Sequence, residues 1–128
     1  MKRILVVDDN KNLRDIISLF LSCELPECAV LTGNNGLQAI EIMKSAPVDF
    51  ILTDLNMPEV SGYQLIEYVK NNLPSTPVLV MTAVCTPNVE KRLYELGVSC
   101  CLEKPFNLND ALYRISAALE LPVHASVA

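Results

Sequence analysis

Charged and hydroxyl side chains follow several short apolar runs of this sequence, each at the point where a run ends. Asp8 and Asp9 follow the first run, Asp54 follows a central one, and Thr82 and Lys104 follow two later ones. Because the carboxyl ends of parallel strands meet at one edge of a sheet, we expect these side chains to converge if the runs are parallel strands. Three carboxylates in one place repel one another, so the cluster requires a cation or a bound proton.

The residue types in this set favour phosphoryl chemistry on a magnesium site. No His or Cys belongs to the set, so its metal ligands are oxygens, which suit Mg²⁺. Lys104 and Thr82 offer a positive charge and a hydroxyl donor to phosphoryl oxygens. A carboxylate can act as a covalent nucleophile, and Asp54, at the end of the central run, is the best placed to do so.

Each of these residues also has a simpler structural interpretation. Asp8, Asp9 or Asn10 can cap a following helix, and Asp54 can cap the next turn. Thr82 alone is typical of a strand end, and a lone lysine is commonly a solvated surface residue. Only the joint pattern is specific.

The elements that must position this set alternate along the chain. Five apolar runs predict strands at Arg3–Val7, Cys28–Leu31, Phe50–Leu52, Val78–Met81 and Cys100–Leu102. Apolar residues at helical spacing predict five helices, at Leu13–Leu21, Leu37–Met43, Gly62–Val69, Pro87–Leu96 and Leu108–Leu119. This alternation predicts a doubly wound α/β fold, a five-stranded parallel sheet covered by five helices.

Composition limits the kind of protein this is. The chain has 128 residues, 51% of them apolar, which suits one domain, and we assign residues 1–121 to it and 122–128 to a tail. The apolar runs are too short for a membrane span or a signal peptide, so we expect a cytoplasmic protein. A net charge of −5 argues against direct binding to nucleic acid.

The cysteines show no metal-site spacing. There are five of them, an odd number, and the single His lies in the tail. We therefore expect reduced thiols that are mostly buried as small apolar side chains.

The joint pattern resembles the response-regulator receiver domain of two-component signalling, whose fold is the flavodoxin-like (βα)5 arrangement. The motifs that carry the resemblance are Val6–Asn10, Asp54–Pro58 with Gly62, Thr82-Ala83 and Lys104–Phe106. They extend it from about Lys2 to Leu121, nearly the whole chain.

The resemblance implies a role for each site residue. Asp54 becomes the phosphoacceptor, and Asp8 and Asp9 hold Mg²⁺ together with Asp54 and the backbone carbonyl of Asn56. Thr82 and Lys104 become the groups that contact the phosphoryl oxygens. A cis peptide bond before Pro105 is also implied.

The same resemblance implies the partners and the output. The phosphoryl donor is a sensor histidine kinase or a histidine phosphotransfer protein, and the chain catalyses only its own phosphorylation and slow dephosphorylation. Phosphorylation switches a surface around the fourth helix, the fourth-to-fifth unit and the fifth helix, which contacts an effector, an output domain or a second copy of the chain. The family usually carries an aromatic residue three positions before the lysine, where this chain has Cys101, so an aromatic switch is not expected here.

Three other functions fit the sequence less well. A haloacid-dehalogenase-type phosphatase needs a second Asp two residues after its nucleophile, where this chain has Asn56. A receiver-like scaffold without phosphorylation disagrees with the intact acceptor set. A dinucleotide-binding domain lacks its glycine fingerprint after the first strand.

Overall fold

The computed structural model describes residues 1–57, 60–98 and 101–121. The strands within them are β1 (Lys2–Val7), β2 (Cys28–Gly33), β3 (Phe50–Asp54), β4 (Val78–Thr82) and β5 (Cys101–Glu103). The helices are α1 (Lys11–Glu24), α2 (Gly36–Ser45), α3 (Gly62–Asn72), α4 (Pro87–Glu95) and α5 (Leu108–Ala118). The predicted strand start at Cys100, the motif residue Pro58 and the tail 122–128 lie outside the described residues.

The strands form one parallel sheet in the order β2-β1-β3-β4-β5. β1 pairs with both β2 and β3, so the direction in which strands are added reverses at β1. The register aligns Asp54 with Met81 and Thr82 with Glu103, which brings the carboxyl ends of β3, β4 and β5 to one edge. The predicted doubly wound fold, with five strands and five helices, is confirmed.

Alternate residues of β1 pack into separate cores on the two faces of the sheet. Ile4 and Val6 belong to the cluster that includes residues of α1 and α5, whereas Leu5 and Val7 belong to the cluster that includes residues of α2 and α3. All four side chains have no exposed surface. Burial on both faces explains why the strand is a continuous apolar run rather than an alternating one.

Each helix begins at a polar residue whose side chain accepts a hydrogen bond from the first turn. These N-caps are Asn10, Asn35, Ser61, Thr86 and Asn107. Asn10, rather than either preceding aspartate, caps α1, so that cap uses neither carboxylate. Pro87 occupies the first turn of α4, and Gly97, at a φ of 86°, follows the end of that helix as expected.

No helix in the described part of the chain is both long enough and apolar enough to cross a bilayer.

The prediction of reduced thiols is wrong for two cysteines. A disulfide joins Cys85 to Cys101, which lie 16 positions apart. Cys28 is buried as expected, but Cys23 is exposed. The pairing is a product of the sheet, because Val80 lies opposite Cys101 in the ladder and the chain after β4 turns back beside β5. Spacing along the sequence does not reveal this proximity.

Candidate functional site

The predicted cluster forms beside β1, where the order in which successive strands join the sheet reverses. Asp8 directly follows β1, and Asp54 is the last residue of the neighbouring strand β3. The Asp8 N–H donates to the Gly33 carbonyl at 3.2 Å, which extends the pairing of β1 with β2 by one residue. Open α/β sheets bind ligands in the crevice at such a reversal point. Both carboxylates therefore lie at the position where this fold best accommodates a ligand.

Lys104 connects the two aspartates. Its Nζ donates to Asp8 Oδ2 at 2.9 Å and to Asp54 Oδ2 at 3.1 Å. The lysine directly follows β5, and its N–H donates to the Thr82 carbonyl at 2.7 Å. The peptide bond between Lys104 and Pro105 is cis, as the resemblance implied. One ammonium group thus neutralises part of the charge of two buried acids.

Asp9 completes an acidic cluster. One carboxylate oxygen from each of Asp8, Asp9 and Asp54 lies within 4.8 Å of the others. Asp8 and Asp54 are buried, whereas Asp9 is exposed at the rim. Desolvation, followed by the negative charges of Asp8 and Asp54, raises the pKa of Asp9 above its ordinary value. The cluster therefore holds excess negative charge that a cation would relieve.

The charge of Lys104 is set by opposing effects. Burial acts to lower its pKa, but the hydrogen bonds and charges of Asp8 and Asp54 outweigh that effect, so the pKa is raised. The ammonium group consequently stays charged at neutral pH and can serve as a positive contact for an anion.

The turn after β3 fixes the orientation of Asp54. The Asn56 N–H donates to Asp54 Oδ1 at 3.2 Å, while the other carboxylate oxygen faces Lys104. The Gly62 N–H donates to the Leu55 carbonyl at 2.9 Å and closes the turn against the start of α3. This geometry places the main chain of Asn56 beside the acidic cluster.

Thr82 lies at the same edge, but its hydroxyl bonds to the following loop. Thr82 Oγ1 donates to the Val84 carbonyl at 3.3 Å and accepts from the Val84 N–H at 3.4 Å. The threonine is almost fully buried, with 1% of its surface exposed. The structure thus brings Asp8, Asp9, Asp54 and Lys104 together and leaves the Thr82 hydroxyl bonded to the loop backbone.

Two supporting contacts were not anticipated from the sequence. Arg14 Nη1 donates to the Asp8 carbonyl at 2.8 Å, which anchors the segment carrying the acidic pair. The Cys85 N–H donates to Glu103 Oε2 at 3.0 Å, which attaches the loop after β4 to β5. An arginine in the first turns of the helix after an acidic pair is a weak signal for the first contact. The second depends on the sheet alone.

Comparison with known proteins identifies the family. The sequence-family model of the response regulator receiver domain matches residues 4–116. The chain belongs to this family. Receiver domains act in two-component signalling, where they accept a phosphoryl group on aspartate from histidine kinases.

Relatives of this receiver domain occur within larger proteins. It is 32% identical over 123 residues to the sensor histidine kinase TmoS of Ectopseudomonas mendocina, covering 94% of this chain and 12% of that protein. It is 35% identical over 120 residues to the transcriptional regulatory protein CiaR of Streptococcus pneumoniae, covering 94% of this chain and 52% of the regulator. The chain thus spans about half or less of the length of these two relatives.

A solved structure agrees with the fold over nearly its full length. The chemotaxis protein CheY4 of Vibrio cholerae superposes with a TM-score of 0.83 at 28% identity, covering 92% of this chain and 98% of the other. The receiver fold predicted from the strand ends is therefore confirmed by an independent comparison.

Proposed function

We propose that Asp54 is the phosphoacceptor of this receiver domain and that Lys104 and Thr82 bind the transferred phosphoryl group. The observation that carries the proposal is the position of Lys104 Nζ, which contacts Asp54 and Asp8 at the carboxyl edge of the sheet. Among the acids of the cluster, Asp54 is the one that ends a strand adjacent to the strand that carries Thr82. A phosphoryl group on Asp54 would therefore have a charged donor and a hydroxyl nearby.

The proposed reaction is an in-line transfer from a phosphohistidine. A carboxylate oxygen of Asp54 attacks phosphorus while the bond to the imidazole nitrogen breaks, and that nitrogen keeps the electron pair. Lys104 stabilises negative charge on the phosphoryl oxygens. The Asn56 N–H holds one carboxylate oxygen and so restricts rotation of the nucleophile. The chain contributes positioning and charge, which supports a self-phosphorylating module rather than an enzyme that turns over a separate substrate.

The residues present fit Mg²⁺. Asp8, Asp9 and Asp54 provide closely spaced carboxylate oxygens, the ligand type that Mg²⁺ prefers, and the Asn56 carbonyl is the proposed fourth contact. Desolvation raises the pKa of Asp9 first, and the negative charges of Asp8 and Asp54 raise it further, which is the repulsion that a bound cation would reduce. When bound, the ion supplies positive charge to the phosphoryl oxygens at the moment of transfer.

An apolar groove beside the site suits the phosphodonor. Leu13, Ile16 and Phe106 line a cavity of about 470 Å³ that also includes Lys104. Ile16 and Leu19 lie on one face of α1 and are 56% and 68% exposed. We assign this surface to a helical segment of a sensor histidine kinase or histidine phosphotransfer protein that carries the phosphohistidine. Such a segment could present its histidine to Asp54 from the edge of the groove.

The output surface is proposed around α4, β5 and α5. Tyr94 on α4 and Tyr113 on α5 are 75% and 64% exposed, and aromatic side chains are common at protein interfaces. An effector, an output domain in a longer protein or a second copy of the chain would bind there after phosphorylation. We place the reaction in the cytoplasm, where ATP is the source of the phosphoryl group that the kinase transfers.

Phosphate mapping tests the acceptor. We expect acetyl phosphate with Mg²⁺ to add one phosphoryl group to the wild type and none to Asp54→Asn, because an amide cannot form the acyl phosphate. Asp49→Asn is the matched control, since Asp49 precedes the same strand and binds the Arg3 N–H far from the carboxyl edge. Phosphate mapped to Asp8 or Asp9, or retained by Asp54→Asn, would contradict the assignment.

A further inference from the structure

The disulfide between Cys85 and Cys101 encloses the helix of the proposed output surface. Cys85 lies in the loop between β4 and α4, and Cys101 is the first residue of β5. The chain segment closed by the bond contains all of α4, Pro87–Glu95. A cross-link at these two positions therefore restricts how α4 and the loop before it can move relative to the sheet.

The same loop holds the hydroxyl of Thr82. Both hydrogen bonds of that hydroxyl go to the backbone of Val84, the residue before Cys85. The Cys85 N–H also donates to the Glu103 carboxylate on β5. For the Thr82 hydroxyl to turn toward Asp54, it must give up its bonds to Val84, and the loop must reorganise with it. A bond that holds Cys85 to β5 opposes this change.

The disulfide lies at a surface groove beside α4. Cys85 and Cys101 are half-buried and line a groove of about 470 Å³ with Lys91 and Tyr94 of α4. Cys28 differs, because burial raises the pKa of its thiol and so disfavours the reactive thiolate. Cys23 is exposed, but the disulfide joins two other cysteines. The accessible pair is thus the one positioned for reversible oxidation.

We propose that Cys85 and Cys101 form a redox modification site that controls the phosphorylation switch. In the oxidised form the disulfide keeps the loop on β5 and the Thr82 hydroxyl on Val84. In the reduced form the loop is released and Thr82 can bind the phosphoryl group. This inference rests on the proposed roles of Asp54 and Thr82.

A low-molecular-weight disulfide such as glutathione disulfide is the class of oxidant that this chemistry requires. One cysteine thiolate attacks the oxidant, forms a mixed disulfide and releases one thiolate. The second cysteine thiolate then attacks the protein sulfur of the mixed disulfide and releases the other. The protons lost by the two protein thiols are taken up by the two released thiolates. The protein pair is oxidised by two electrons and the oxidant is reduced by two.

The experiment compares the full chain after treatment with glutathione disulfide or with a dithiol reductant. Mass spectrometry of the Cys100→Ser variant should show the bond to Cys101 after oxidation, and Cys101→Ser should lack it. Beryllofluoride with Mg²⁺ serves as the phosphoryl mimic, and amide chemical shifts at residues 86–98 report the switch. We expect mimic binding on the order of tenfold weaker in the oxidised chain, with full recovery on reduction.

Cys85→Ser should bind beryllofluoride equally well after oxidation and after reduction. Cys23→Ser should show the same difference between the two treatments as the wild type. A bond to Cys85 that is lost in Cys100→Ser and kept in Cys101→Ser would overturn the inference. So would a response of equal size in the oxidised and reduced wild type, which would leave the proposed function intact. A reduced wild type that does not respond to the mimic would overturn the proposed function and this inference with it.

Discussion

The ammonium group of Lys104 is the main counter-charge of the site when no cation is bound. It contacts two carboxylates that are buried, and 21% of its own side chain is exposed. Removing one partner of such a group leaves the other charges desolvated and unpaired, which costs more than an exposed ion pair contributes. The site therefore links chemistry to stability through one residue.

Lys104→Met should lower the free energy of unfolding by about 1–3 kcal/mol in the absence of Mg²⁺, because Asp8 and Asp54 lose their shared donor. Urea unfolding in chelator measures this loss. Lys11→Met is the matched control, since Lys11 pairs with Asp15 at an exposed surface and its removal should have no measurable effect. Equal losses in the two variants would show that the Lys104 contacts do not stabilise the fold.

Asp9 is the acid of the cluster that a metal ion would affect most directly. Partial desolvation raises its pKa, and the charges of Asp8 and Asp54 raise it further, so a cation bound beside it removes an unfavourable interaction. We expect Mg²⁺ to raise the melting temperature of the wild type and Asp9→Asn to lose most of that rise. Thermal unfolding over a Mg²⁺ series measures it. An unchanged response in Asp9→Asn would exclude Asp9 as a ligand.

The contact between α3 and the end of β3 sets the position of the strand that carries Asp54. A Cβ at Gly62 would lie 2.6 Å from the Leu55 Cα and would overlap the Asp54 carbonyl. The capping box of Ser61 and Gln64 fixes the start of α3 at this point. The helix therefore reaches the site through backbone contact, which only glycine permits.

Gly62→Ala should destabilise the fold by about 1–3 kcal/mol and slow phosphorylation, because the clash displaces the backbone of the acceptor. Gly33→Ala is the control, since a Cβ there has its nearest neighbour at 3.5 Å and fits without displacement. Urea unfolding and the rate of labelling by acetyl phosphate measure both effects. If the two variants label at the same rate, the Gly62 contact does not position Asp54.

Across the whole molecule, we expect the phosphorylation signal to reach α4 through the loop after β4. Val80 of β4 packs in one cluster with Leu93 of α4 and Val98, and Thr82 ends the same strand. In the reduced protein, we expect Thr82→Ala to lose most of the shift changes that beryllofluoride causes between Val89 and Gly97. Cys101→Ala should keep most of them, because a thiol displaces little volume.

Amide spectra of both variants with and without the mimic, recorded in reductant, separate these outcomes. If Cys101→Ala abolishes the changes while the mimic still binds, the reduced thiol itself transmits the switch and the path through Thr82 is wrong.

Sequence pattern predicted the elements and the edge of the sheet because both depend on local physics. The apolar runs of β1 and β3 and the polar residues that end them are visible within a few positions. Parallel strands then require Asp8 and Asp54 to meet at one edge, whatever the details of packing. The family, the fold and the composition of the acidic cluster were therefore predictable from the sequence.

The contacts of the loop after β4 were decided by the tertiary structure. The hydroxyl of Thr82 bonds to Val84 rather than facing the acids, and Cys85 is joined to Cys101. Neither follows from periodicity, because each depends on the path of one loop over the neighbouring strand. The types of the site residues determined what chemistry is available. The packing of β4 against β5 determined which partners Thr82 and Cys85 have in the unphosphorylated chain.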